Sequence, residues 1–428
     1  MPSAGLVGQV HWAISKFVAW LDRYGETSYD FQTFYASPIG QKAKALYYKQ
    51  PLLGTMAVAP IIFCEAFVPW ARRLFWKPQR FPIADAHYAM GFASLSQILE
   101  EKEYYHRAVH FLKVLEVTHC QGQNHYAWGY PFDWVWIGGT IKEGTPLITT
   151  EPYVYEAFSR VYEIDKDQKW RQIMQSLAEH VSQDYYDTQT SAHAASSSYT
   201  PASGPSSGGV VNASAYRALL LTKAALDFSE EKYRRQAERN MFFVLESQNA
   251  DGSWFYAMDG KRNFVDHYHT CFVMKALVKI EQLTGNSNCT EAIERGVNYY
   301  VKHLFDEDGL PKPFSKAPRL TIYRRELYDY AECINIATLL GGRFPELDKK
   351  LSSVLNDLFA RWQRPDGSFR SRHLLLGWDN VPMHRWAQAQ LFRSLCGLLS
   401  QTKDKSQSEV LMQAQSANTP VLSQISIP

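Results

Sequence analysis

Asp266-His267-Tyr268-His269 places one carboxylate and two imidazoles within four residues, at the head of an apolar run that reaches Ile280. An imidazole titrates near neutrality, so it can take up a proton and return it at physiological pH. Asp329, Tyr330 and Glu332 head a second run, and His384 a third. These eight residues are the catalytic candidates. Their chemistry would be proton transfer, or hydrolysis by paired carboxylates such as Asp266 with Asp329 or Glu332. Histidines two positions apart point to different sides of a helix, and no Cys or His pair follows nearby, so no metal and no other cofactor is expected. Asp85, Asn212, Asp266 and Asp329 also suit helix caps.

Elements must bring these residues together. Three units share a pattern of aspartate, glycine turn, and then an apolar run. Their turn glycines Gly252, Gly309 and Gly367 lie 57 and 58 residues apart. A period of that size marks stacked helical hairpins. Apolar helices are expected from Asp85, Glu151, Asn212, Asp266, Asp329 and His384. Each but the last is followed by an amphipathic one, as in Glu231–Ser247. Apolar helices belong inside and amphipathic ones outside. Six hairpins in a closed ring are an all-α (α/α)6 toroid.

In such a ring the inner-helix starts converge on one face. They would supply Asp85, His87, Glu151, Tyr153, Asn212, Tyr216, Tyr328, Arg385 and Trp386 as substrate contacts. The preceding loops would add Trp128, Tyr130, Asp133, Trp134, Trp254, Tyr256, Arg324, Arg325 and Trp378. Aromatic rings can stack on sugar faces, and Arg324, Arg325, Arg385 or Asn212 could neutralise a carboxylate.

The expected division is an N-terminal helical extension over 1–50, the toroid over 51–401, and a disordered tail over 402–428. Pro51–Trp70 is almost wholly apolar. It reads as a core helix that closes the ring, with a peripheral membrane contact through 51–80 as the rival reading, because basic residues follow it. Ser191–Gly209 reads as a long surface loop. A net charge of +2 gives no reason to expect nucleic acid. Six scattered cysteines without a CxxC suggest free thiols in a reducing compartment. The N-terminus lacks the pattern of a secretory signal, so the cytoplasm, or the inner face of its membrane, is the expected location.

Two resemblances extend this reading. Gln248 with Asp251-Gly252-Ser253-Trp254 resembles the QW repeat of squalene and hopene cyclases, and Gln363 with Asp366-Gly367-Ser368-Phe369 is a weaker copy. The repeat implies a toroid and leaves an isoprenoid-handling enzyme open, although the cyclases' acidic DxDD run is missing. The strings Phe81–His87, Trp128–Trp134, Thr145–Thr150, Asp266–Phe272, Leu327–Cys333 and Gly377–Trp386 resemble a family of bacterial proteins encoded with exopolysaccharide-biosynthesis genes. Some members are labelled delta-aminolevulinic acid dehydratase. That enzyme is a TIM barrel, and nothing here alternates strand with helix. The toroid is also similar in kind to uronate-processing lyases, C5-epimerases and unsaturated glucuronyl hydrolases. Together these imply a carbohydrate-active enzyme of surface-polysaccharide synthesis, acting on a glycan or lipid-linked glycan as an epimerase or lyase. Its rivals are a glycoside hydrolase and a non-catalytic partner in a polysaccharide-assembly complex.

Overall fold

A computed structural model of the chain describes residues 4–203 and 209–417. Helix α1 (Ala4–Tyr24) comes first. Four shorter helices follow: α2 (Thr33–Ala36), α3 (Pro38–Lys49), α4 (Pro51–Phe67) and α5 (Arg72–Phe75). Helical hairpins then repeat: α6 (Pro82–Leu99) with α7 (Lys102–Val117), and α8 (Glu151–Asp165) with α9 (Gln168–Gln183). Next come α10 (Val211–Phe228) with α11 (Glu231–Glu246), and α12 (His267–Thr284) with α13 (Ser287–His303). The last are α14 (Leu327–Leu340), α15 (Pro345–Asp357) and α16 (Ala389–Ala417).

The even-numbered helices from α6 to α16 pack side by side in chain order, and α16 returns against α6. They are the inner ring of an (α/α)6 toroid. Their sequences leave little polar surface because neighbours enclose them: α6 is buried at every position from Pro82 to Leu95. Outer helices are apolar on one face only. In α9 that face is Trp170, Ile173, Met174, Leu177 and Val181, at helical spacing.

The sixth outer helix differs from expectation. It is α1, which packs on α16 with Phe17 against Phe392 and buries Val10, Ile14 and Leu21, and not a segment of 51–75. The glycine turns explain the match. Gln248 donates from Nε2 to the Ala292 carbonyl of the next outer helix, at 2.9 Å, and Gln363 donates to Ala13 of α1, at 3.3 Å. Gly252 (φ 91°) and Gly367 (φ 97°) take left-handed turns, and a side chain at either would strike the backbone of Arg295 or Lys16. So α1 stands to α15 as α13 stands to α11.

Helices α2–α5 form a separate small layer around Phe34, Ala43, Val58, Ile61 and Ala71. No single helix among the described residues is long and apolar enough to cross a membrane; α4 and Pro69–Phe75 reach that composition together, but bend by 116°. The last helix continues to Ala417, past the boundary expected at 401, and 418–428 lie outside the described residues.

Short antiparallel strands link outer helices to the next inner ones. They are β1 (Trp134–Trp136) with β2 (Gly139–Ile141), and β3 (Asp187–Gln189) with β4 (Ala195–Ser197). Further on are β5 (Val265–Asp266) with β6 (Phe314–Lys316), then β7 (Tyr323–Glu326) with β8 (Arg372–Leu374) and β9 (Trp378–Asp379). The expected surface loop at 191–209 therefore contains a strand, β4, that is buried throughout. Asn240 of α11 holds it by donating to the Ala195 carbonyl at 2.8 Å.

Candidate functional site

The β5–β6 pairing delivers Asp266 extended into the first turn of α12, where it is the N-cap. One carboxylate oxygen accepts the His269 backbone N–H at 2.9 Å, and the other lies 2.6 Å from His269 Nδ1. The carboxylate is buried, whereas the imidazole is 21% exposed. Acceptance by the carboxylate fixes Nδ1 as the protonated nitrogen. Nε2 is left without a protein partner among the described residues. A buried carboxylate that orients a partly exposed imidazole is an arrangement that can serve general-base chemistry.

His267 is built for another purpose. It is fully buried, with Nδ1 at 3.2 Å from both the Leu304 and Lys312 carbonyls and Nε2 at 2.6 Å from the Tyr300 hydroxyl. Burial pushes its pKa down to about 3, against which the two carbonyls pull only weakly. His384 is also sealed, accepting from Tyr88 at 2.6 Å and donating to the Gly25 carbonyl at 2.9 Å; burial pushes it down to about 4. Both imidazoles lock helices together and reach no solvent. Because their folded pKa values lie below the ordinary 6.5, the unfolded chain binds more protons as pH falls. Their stabilisation is present above pH 6.5 and lost below it, by about 1.4 kcal/mol per pH unit for each. Urea midpoints between pH 7 and 5 should fall accordingly, and His267→Gln should flatten that slope by about one proton.

A closed circuit of side chains surrounds the mouth of the ring. Tyr256 meets His269 edge-on at 4.7 Å between centroids, His269 meets Tyr268 at 4.5 Å, and Tyr268 meets Trp386 at 5.3 Å. The Arg385 guanidinium lies 5.2 Å from the Trp386 ring and 4.5 Å from that of Tyr130. Tyr130 touches Trp134, Trp134 touches Tyr199, and Tyr199 shares a cavity with Tyr256. Tyr328 packs beneath, 4.4 Å from Trp386. Burial pushes the Tyr256 hydroxyl up to about 12 and those of Tyr199, Tyr268 and Tyr328 well above the usual phenol range, so these four are neutral donors.

Below the mouth the axis is polar. Tyr153 and Tyr216 share a hydrogen bond of 2.7 Å, and Lys275 reaches Tyr153 at 3.2 Å while pairing with the buried Glu332. His87 packs on Tyr153, and neither of its nitrogens is hydrogen-bonded among the described residues. Asp329 is fully buried and neither oxygen has a hydrogen-bond partner among the described residues; burial first, then Glu326 and Asp266, push its carboxyl well above the usual range, so it is neutral. Asn212 lines one small cavity with Asp266 and His269.

Other candidates serve the scaffold. Tyr330 donates to Asp357 at 2.6 Å, toward the outer ring. Asp85 is held by Arg80 through two bonds of 3.0 Å, Glu151 accepts from the Trp128 backbone at 2.9 Å, and the Trp128 indole donates to Leu115. Trp254 donates to Val244, Asp133 binds Lys142, and Trp378 stacks on His373. Arg325 pairs with Asp306 and Arg385 with Asp30, which commits their charges; Arg324 is exposed. Lys275 and Glu326 are site residues that sequence reasoning passes over. Lys275 carried a signal: with Lys279 it interrupts an otherwise apolar run at helical spacing. Glu326 accepts from the Trp386 indole at 2.8 Å and from Arg372, and nothing in its sequence context marks it. Among the described residues no three His, Cys, Asp or Glu side chains converge as metal ligands.

No family model and no curated sequence matches the chain. Solved structures match it in fold. A cellobiose 2-epimerase from Bacillus thermoamylovorans superposes with a TM-score of 0.58 at 10% identity, covering 76% of this chain and 88% of that one. A sugar epimerase from a ruminal bacterium gives 0.56 at 11%, covering 80% and 98%. An unsaturated glucuronyl hydrolase from Bacillus sp. GL1, responsible for degradation of glycosaminoglycan, gives 0.52 at 13%, covering 73% and 85%. At these identities the likeness is one of architecture: the chain is an (α/α)6 toroid.

Proposed function

We propose that the chain is a carbohydrate-active enzyme that moves a proton at a sugar carbon, as a C5-epimerase or lyase acting on a uronate-containing glycan or its lipid-linked precursor. One observation carries this: the 2.6 Å contact that orients His269 toward the mouth from the buried Asp266. In this reading His269 Nε2 takes the proton next to the uronate carboxylate, and Asp266 stabilises the imidazolium that forms. Asn212 donates to the carboxylate, since it lines the same cavity. A rim phenol returns a proton from the opposite face in epimerisation; in elimination the neighbouring substituent leaves instead. The two cavities bordering the circuit hold about 10 and 20 Å³, so substrate enters as rim rings swing aside.

Hydrolysis by paired carboxylates has less support, because both oxygens of Asp266 are already engaged and Asp329 is sealed. The carbohydrate enzymes among the matching folds support the substrate class, and the resemblance of the motif strings to exopolysaccharide-cluster proteins is the ground for reading the polymer as a bacterial surface polysaccharide. Incubating the protein with uronate oligosaccharides in heavy water should wash out the H5 proton signal. Absence of both H5 exchange and a new C4–C5 double bond, against a protein-free control and across such a panel, would overturn the proposal. Restoration of polymer in a gene-deletion strain by His269→Ala would assign a non-catalytic role.

A further inference from the structure

The small layer α2–α5 carries an outer surface that the ring does not need. On α4, Gly54, Val58, Ile61 and Glu65 face inward, and Gly54 approaches the Tyr47 backbone so closely that no side chain would fit. The opposite face is Leu52, Met56, Phe63 and Phe67, spaced by four, seven and four residues. Beyond the bend it continues in Trp70 and Leu74, also four apart. Leu52 is 86% exposed, Leu74 76% and Met56 73%. Large apolar side chains lined up and exposed in this way mark a binding surface.

Charge around the face identifies what it binds. Between Asp30 and Asp85 the chain holds seven Lys and Arg residues and one acid, Glu65, which is buried. Lys42, Lys49, Arg73 and Lys77 are exposed. A cavity of about 500 Å³ opens beside the face, between Phe67, Trp70 and Arg73 on one side and Trp20, Trp378 and the Arg364–Asp366 pair on the other. The 17-residue helix is about 25 Å long, and its inner face is held by protein, so it lies along a surface and does not cross a bilayer.

We propose that this face docks the protein on an anionic phospholipid bilayer, with the apolar side chains at the acyl boundary and the basic rim on the headgroups. This rests on the surface alone and stands whether or not the site acts on a uronate.

Vesicle flotation of the full chain tests it. The protein should float with phosphatidylcholine–phosphatidylglycerol vesicles at 50 mM salt and be released at 500 mM, since surface attraction is screened within a Debye length. Met56→Asp with Phe63→Asp should lower the bound fraction at least tenfold without changing the melting temperature, because both side chains are exposed. Arg73→Glu with Lys77→Glu should lower it severalfold. Failure to float, or equal flotation of the Asp variant, overturns the proposal; equal binding to pure phosphatidylcholine overturns the anionic assignment. A dimer in light scattering that the Asp substitutions dissolve would give the face to a second copy instead.

Discussion

His269→Ala is expected to slow turnover about 10²–10⁴-fold, the usual contribution of a positioned general base, while costing only about 1 kcal/mol of stability. Its imidazole is 21% exposed and, among the described residues, hydrogen-bonded only to Asp266. Removing it leaves the N-cap bond from the other carboxylate oxygen intact, and water can reach the vacated oxygen from the mouth. His267→Ala should behave in the opposite way. It strips the Tyr300 hydroxyl and two carbonyls of a buried partner and opens a cavity, at a cost of about 3 kcal/mol. Activity should then fall only with the folded fraction. Measuring kcat and urea unfolding on both variants separates the roles of two histidines that lie two residues apart. Full activity in folded His269→Ala would remove the dyad from the reaction.

Lys275→Met is expected to destabilise the fold by about 3–5 kcal/mol, because it leaves the Glu332 carboxylate uncompensated on the toroid axis. Burial works against the Lys275 charge, but Glu332 beside it holds the ammonium in its protonated form. Both side chains are at most 4% exposed. Adding Glu332→Leu to the same chain should recover most of the loss, since two packed apolar groups replace a desolvated pair. Chemical denaturation of the two singles and the double gives the coupling directly. A loss below about 1 kcal/mol in Lys275→Met would mean that the pair contributes little to stability.

The starts of the inner helices were legible because each is a local event, a polar or proline residue ahead of an unbroken apolar run. Asp266 as a cap and its neighbour His269 follow from spacing three apart on one turn. Which of His267 and His269 faces the mouth does not, because both sides of an enclosed helix are apolar in sequence; only ring closure distinguishes the core side from the opening. The sixth outer helix was misplaced for a related reason. The partner of α16 lies at the other end of the chain, and the turn at Gly367 does not reveal which distant helix its flat side must meet. Arg325 and Arg385 looked free because their partners are not local: Asp306 lies 19 residues before Arg325 in the same α13–α14 connection, and Asp30 lies 355 residues before Arg385. Pro51–Trp70 has the composition of a core helix, and only its packing on α3 shows that half of its apolar surface points outward.

Closure through α1 also constrains how the chain is made. The Gln363–Ala13 hydrogen bond spans 350 positions, so the first helix emerges from the ribosome long before the turn that receives it exists. At about 5–20 residues per second, the amphipathic α1 waits on the order of 20–70 s with Val10, Ile14 and Phe17 unprotected. During that interval it is a target for holdase chaperones and for premature association between nascent chains. A circular permutant that places α1 directly after α16, with new ends in the α1–α6 connection, would turn this long-range contact into a local hairpin and should refold faster from denaturant.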